Sequence, residues 1–413
     1  MRILFLSHYF APEGNAPATR VFELTRRWAR AGHHVTVITC APNVPAGVVY
    51  EGYANRWLQR EEVEGVELIR VWTYLAANRG TTRRILNYLS FMLTASLAGL
   101  RVPRPDVVIA TSPQFFCGWA GVLVAKLRRL AFVLEIRDLW PESIVAVGAL
   151  SNSKLIRLLE WLELRMYAAA DRVVTVGEGY REKLERKGVA VRDLHIIPNG
   201  VDREVFRPDA DGTAVRQEYG LGDRFVCAYL GTIGMGSGLE IALRAARRLR
   251  DAGRDDVRLL LVGDGAVRDQ LERRAGAEGL EQLVFAGQQP KARMPEFLAA
   301  TDACLVHLTR TELFKTVLPS KIFEASASGK PIILGVEGLA AELVSSAEAG
   351  VCIEPENEGE LVEAVTKLAS DRALAAKLGC NGRERIAPHF DIERLADEYI
   401  ALLEGLCRGV PLR

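Results

Sequence analysis

Lys321 and Glu324 stand one helical turn apart in LPSKIFEASASGKPII, 318–333. At about 100° per residue, Ser320, Lys321, Glu324 and Ser328 share one quadrant of a helix, while Ile322, Phe323 and Ser326 face away. Pro319 and Ser320 suit a helix start, and Gly329 and Pro331 suit a stop. A cation beside the amide-bearing start of a helix makes an anion site. A carboxylate one turn deeper can accept bonds from paired hydroxyls. Phosphate next to a diol describes a nucleotide ribose with its diphosphate. The plainer alternative is an exposed Lys–Glu pair worth about 0.2–0.5 kcal/mol. That alternative does not by itself explain Ala325, Ser326 and Ala327, three small residues that suit close packing.

Three further stretches carry candidate chemistry. YLGTIGMGSGLEIALRAA, 229–246, reads as strand, glycine-rich turn and helix. Its Gly234, Gly236 and Gly238 give G-x-G-x-G, where a dinucleotide fingerprint needs G-x-G-x-x-G, and VGDGAVRDQL (262–271) also lacks a third glycine. Nicotinamide binding is therefore disfavoured. Close backbone approach to a phosphate around Gly231, Thr232, Gly234, Gly236 and Gly263 stays open, beside a tight turn that needs no ligand. SHYFAPEGNAPATR, 7–20, breaks the first strand from a helix with Gly14, Asn15 and Pro17, and helix-entry amides there could face an anion or a polar ligand. It could also be an ordinary loop. VLEIRDLWPES, 133–143, sets Arg137, Asp138, Trp140 and Glu142 just past a strand, either in a site or as a capping pair. The histidines at 8, 33, 34, 195, 307 and 389 are isolated, so no metal site and no cofactor is expected.

Apolar runs that alternate with helical patterns must position these residues. Strands are expected at 2–7, 34–39, 66–72, 106–111, 131–136, 172–176 and 194–198, and again at 225–231, 257–263, 283–287, 303–307, 331–335 and 350–353. Near-continuous Val/Ile/Leu strands between helices imply an α/β fold with parallel sheets covered on both faces. The polar, Gly/Asp-rich stretch 199–223 is the natural break. We expect two doubly wound Rossmann-like domains, 1–200 and 201–390, facing across a cleft. The last helical pattern, at 391–407, could pack on either, and the segment 391–413 could return to the first domain.

Composition narrows the class. A net charge of +1 over 413 residues implies no nucleic-acid partner. The seven scattered cysteines have no metal or redox spacing, as in a reducing, cytoplasmic setting. MRILFLSHYF is too short and too interrupted for a signal peptide. Ile85–Leu100 is uncharged between Arg83, Arg84 and Arg101. It is too short to span a bilayer comfortably, and it fits either an interfacial helix with snorkelling arginines or a buried helix.

IIPNGVDREVFRP (196–208), LLLVGDG (259–265), LVFAGQ (283–288), KIFEASASGKPII (321–333) and GHHVTVIT (32–39) together resemble the retaining glycosyltransferases of family 4, on the GT-B fold. RDLWPES (137–143), PNVPAG (42–47) and TVLPSKIFE (316–324) resemble a branch of bacterial surface-polysaccharide transferases that includes N-acetyl-fucosamine transferases. The resemblance implies that Glu324 is the second Glu of an E-x7-E motif that binds ribose, with Thr316 at the position of the first. It puts Thr232 and Ser237 where an Arg and a Lys usually hold diphosphate, and Arg137, followed by Asp138, where a His is common. Lys321, with Lys315, would then replace the missing cations. The implied activity is metal-independent transfer from a UDP-sugar donor, such as an N-acetylated deoxyhexosamine, to a glycan or polyprenyl-linked acceptor. Asp138 or Glu142 would orient or deprotonate that acceptor, and residues 83–101 would touch the inner membrane face. A nucleotide-sugar 2-epimerase and a non-catalytic nucleotide-sugar-binding protein are the alternatives.

Overall fold

The computed structural model describes residues 1–44, 46–76, 81–112, 114–139 and 153–409, with backbone alone at 81, 82, 153, 191 and 313. Trp140 and Glu142 lie outside the described residues. The chain divides into two units, Met1–Asn199 with Glu393–Arg413, and Gly200–Ile392.

Among the described residues, the first unit holds an eight-stranded sheet. Its spatial order is β3 (Leu58–Val63), β4 (Val66–Val71), β2 (His34–Cys40), β1 (Arg2–Leu6), β5 (Val107–Thr111), β6 (Ala131–Ile136), β7 (Arg172–Thr175) and β8 (Leu194–Ile196). All neighbours pair parallel except β3, which folds back on β4. The sequence reading placed no strand at β3, because LQREEV is half charged and alternates in exposure. Its turn is Glu64–Gly65, both at positive φ (53° and 79°), as a two-residue hairpin with right-handed strand twist requires. The central strands are buried along their length, which explains their apolar runs.

Helices α2 (Thr81–Gly99), α3 (Phe115–Arg128), α4 (Ser153–Tyr167) and α5 (Glu178–Arg186) bury Phe91, Cys117, Met166 and Leu184 on one sheet face, against Leu4, Leu6, Val108 and Leu134. Helix α1 (Ala16–Arg30) covers the opposite face, where Trp28 stacks on Phe5. The sequence left open whether α2 is a buried helix or an interfacial one. Its Phe91–Ala95–Ala98 side is core, its other side exposes Leu86, Leu93 and Leu97, and Leu100 is exposed just past its end. No helix among the described residues is long and apolar enough to cross a membrane.

In the second unit six strands pair in parallel. Their order is β11 (Leu283–Gly287), β10 (Val257–Val262), β9 (Phe225–Leu230), β12 (Ala303–His307), β13 (Ile332–Gly335) and β14 (Gly350–Cys352). One face packs α6 (Thr213–Glu218), α9 (Met294–Ala300), α10 (Lys321–Ala327) and α11 (Leu339–Ser346). The other packs α7 (Glu240–Asp251), α8 (Arg268–Ala277), α12 (Glu358–Ser370) and, through Ala375, α13 (Arg372–Arg385). The last helix, α14 (Ile392–Cys407), belongs to the first unit, where the Trp28 indole donates to Ala396 O at 3.1 Å and crosses the Tyr399 ring. Both units are therefore doubly wound α/β sheets, as the alternating pattern implies.

Candidate functional site

Strand order in the second unit reverses between β9 and β12, the position where open α/β sheets bind ligands beyond the strand ends. After β9 the chain turns through Gly231–Gly238. Gly231 and Gly263 both sit at φ 138°, and a Cβ on Gly263 would fall 1.9 Å from Gly231 O. The loops after β9 and β10 thus touch backbone to backbone, which only glycine permits. Gly231 N–H donates to Val262 O and Gly263 N–H to Gly287 O, both at 2.8 Å. Those two amides are therefore spent within the fold. Among the described residues no acceptor takes the N–H of Thr232 or Gly234.

Lys321 reaches this loop from α10. Its Nζ lies 4.8 Å from the Tyr229 ring centroid, and a Cβ on Gly231 would come within 2.8 Å of it. Among the described residues Lys321 makes no hydrogen bond or ion pair. The ring contact is worth about 0.5–1 kcal/mol, less than the roughly 1.5–3 kcal/mol of a hydrogen bond to an anion. Tyr229 also donates its hydroxyl to Thr232 O at 2.8 Å. The sequence reading missed this tyrosine. Its only signal is an aromatic residue two places before the first glycine of the turn.

Glu324 follows one turn along, half-buried, and its carboxylate has no partner among the described residues. Burial raises its pKa, while Lys321 and Lys291 pull it down. The helix starts where expected, with Ser320 at the N-cap before Lys321, although its side chain makes no cap hydrogen bond. One expectation needs correction: Ser328, at the C-cap, is buried and is not part of an exposed polar stripe, and Gly329 beyond it turns the chain at φ 65°. The small residues do serve packing. A Cβ on Gly379 of α13 would fall 2.1 Å from Gly329 O, and one on Gly382 would fall 3.2 Å from Ser326 Oγ.

The ammonium of Lys315 is held by carboxylates. The residue lies in a 3₁₀ turn, Glu312–Thr316, with its ammonium 2.6 Å from Glu312 and 3.7 Å from Glu337. The hydrogen bond it donates to Glu312 raises its pKa. Gly236 contributes its carbonyl, which accepts from Thr309 N–H at 3.0 Å.

The first-unit candidates are tied into the fold more tightly. An added Cβ at Gly14 would meet nothing within 4 Å, so that loop does not require glycine. Asn15 caps α1, its Oδ1 accepting from Ala18 N–H at 2.9 Å. Buried Glu13 accepts from Asn43 and Val44 N–H at 2.9 and 3.1 Å, and burial raises its pKa. Arg137 donates to Ser112 O at 3.0 Å and Pro17 O at 3.2 Å, with Glu135 at 3.5 Å. Burial lowers its pKa to about 10. Asp138 is half-buried, and its charge adds to the burial that pushes the Tyr180 phenol up to about 12. Sequence reasoning also missed the buried Arg20–Glu135 pair at 3.2 Å. Arg20 further donates to Ile197 O at 2.8 Å and Pro198 O at 2.6 Å. A carboxylate inside the apolar strand AFVLEI was the available signal.

Known families match across this arrangement. The description "Glycosyl transferase 4-like domain" fits residues 15–200, and "Glycosyl transferases group 1" fits residues 212–385. Two doubly wound units carrying these matches define a glycosyltransferase on the GT-B fold, with the group 1 match confined to residues 212–385. It is 29% identical over 417 residues to the protein named colanic acid biosynthesis glycosyl transferase WcaI, of Escherichia coli K12, covering 98% of this chain and 100% of that one. It is 33% identical over 216 residues to a GDP-mannose-dependent phosphatidylinositol monomannoside mannosyltransferase of Mycolicibacterium smegmatis, covering 51% of this chain and 56% of that one. Among solved structures, Anabaena HepE in complex with UDP-glucose superimposes with a TM-score of 0.71 at 18% identity, covering 98% of this chain and 100% of that one.

Proposed function

We propose that this glycosyltransferase moves a sugar, with retention, from a UDP-sugar to a glycan or polyprenyl-linked acceptor in surface-polysaccharide assembly. An N-acetylated deoxyhexosamine is the donor sugar we favour. The carrying observation is Lys321, a cation that makes no hydrogen bond or ion pair among the described residues, held over Gly231 and one turn from Glu324, whose carboxylate has no hydrogen bond among them. Lys321 would neutralise the leaving diphosphate without a metal ion, aided by the Thr232 and Gly234 amides. Glu324 and Ser320 would hold the ribose end. In the first unit Arg137 would position the backbone that carries Asp138, and Asp138 would orient or deprotonate the acceptor hydroxyl. The named role of WcaI and the UDP-glucose bound to HepE support the acceptor class and the donor class respectively. The GDP-mannose-dependent relative makes a GDP donor the second reading.

Calorimetry with UDP, GDP, ADP and dTDP tests the donor. UDP should bind tightest, and Lys321→Ala should weaken it by about 10–100-fold. Unchanged affinity in that variant would sink the diphosphate role.

We also infer that α2 touches an anionic membrane surface, with α3 beside it. Residues 81–105 and 107–134 contain no Asp or Glu but carry Arg83, Arg84, Arg101, Arg104, Lys126, Arg128 and Arg129. Leu93 and Leu97 of α2 and Leu123 and Leu127 of α3 are exposed among them. The protein should float with vesicles of phosphatidylglycerol, and Leu97→Asp with Leu127→Asp should release it. Equal flotation of that double variant would remove the inference.

A further inference from the structure

His307 ends β12 and is 1% exposed, yet both its ring nitrogens are engaged. Its Nε2 accepts the backbone N–H of Glu356 at 2.9 Å. Its Nδ1 lies 2.8 Å from Ser237 O, so Nδ1 carries the proton and the ring is neutral. Two glycines make room for this ring. A Cβ on Gly335 would fall 2.4 Å from His307 Cδ2, and one on Gly238 would fall 2.9 Å from Cε1. The imidazole therefore bridges the donor-side glycine loop to the turn before α12. Glu356 itself is held at φ 66°, its carbonyl accepting from Arg244 at 2.9 Å.

We propose that His307 is a positioning residue for the diphosphate loop: its neutral Nδ1–H form clamps Gly231–Gly238 in the donor-binding conformation, and protonation releases it. The inference rests on the donor reading above. Protonation would set an Nε2–H against the Glu356 N–H, two donors without an acceptor, and so break one end of the bridge. The charged groups facing the ring are Arg244 of α7, which disfavours protonation, and Glu356, which favours it. Burial is the larger influence and lowers the pKa below the ordinary histidine value. The clamp is accordingly intact at neutral pH and is lost as pH falls through the lowered value.

The test pairs two measurements on the full chain. Hydrogen exchange of the loop 231–238 without ligand, near neutral pH, should be about tenfold faster in His307→Gln, which loses the donor to Ser237 O, than in His307→Asn, which can keep it. Equal exchange in wild type and both variants would overturn the proposal without reference to any ligand. UDP-glucose affinity is then measured from about pH 7.5 down to about pH 4.5, well below the ordinary histidine value, a span in which its diphosphate diester stays ionised. The wild type should weaken on the acid side more than His307→Asn does. Glu324 titrates in both proteins, so only the difference belongs to His307. Identical pH profiles would overturn the clamp. Absence of UDP-glucose binding at every pH would count against the donor reading and leave the exchange result to decide the clamp.

Discussion

The glycine loop of the second unit and the strand-end residues of the first unit look alike as text. Each is a strand, a polar turn and a helix with a cation nearby. Their chemistry differs because of where the polar groups are spent. Asn15, Glu13 and most of the Arg137 guanidinium bond to carbonyls and amides of their own unit, while Arg137 Nη2 is buried with no partner among the described residues. Lys321 rests on a tyrosine ring, and Glu324 has no partner among the described residues. A buried ionic group that is fully bonded holds a fold together, whereas one left open is available to a ligand. Spacing alone could not separate the two, since a capping Asn and a ligand-binding Asn occupy the same kind of position.

The largest expected effect would break the comparison from the structural side. Arg20→Met leaves Glu135 buried with one bonding partner fewer and frees the carbonyls of Ile197 and Pro198. It should cost about 3–5 kcal/mol of stability by denaturant titration. If instead stability held and acceptor turnover fell, the first-unit charges would belong to the reaction. A smaller effect sharpens the donor side. Glu324→Gln should reduce UDP affinity about tenfold at neutral pH with the melting temperature nearly unchanged. Because burial raises the Glu324 pKa, the ionised form that accepts ribose hydroxyls is lost at higher pH than for an ordinary carboxylate. The wild-type acid decline should therefore flatten in this variant, and a profile parallel to wild type would remove Glu324 from the ribose. The smallest effect is Lys315→Ala. Its exposed pairs with Glu312 and Glu337 are screened by solvent and add little, and UDP affinity should stay within about twofold. A large loss would show that Lys315 leaves its carboxylates when the donor binds.

Much of the fold was legible because parallel strands are buried on both faces and must be apolar throughout. RILFL, VVIAT and FVCAYL could be little else. The edge strand β3 was not legible, because one polar face erases the run and only the Glu64–Gly65 turn marks the hairpin. The helix at Lys321 was legible from its starting and stopping residues, but the burial of Ser328 was not. That end of the helix is packed by α13, with Gly379 against Gly329 O, a contact 50 residues away in sequence.

By itself, then, the sequence determined the alternation of elements, the two doubly wound sheets and the residue types at the strand ends. Those properties follow from local periodicity and composition. Only the tertiary structure decided that Lys321 lies over Gly231, that Lys315 turns to Glu312, that Arg137 is built into its unit, and that His307 braces the glycine loop. Each of these depends on which loops meet beyond the strand ends. Such meetings join residues tens of positions apart, where no periodic signal in the chain reaches.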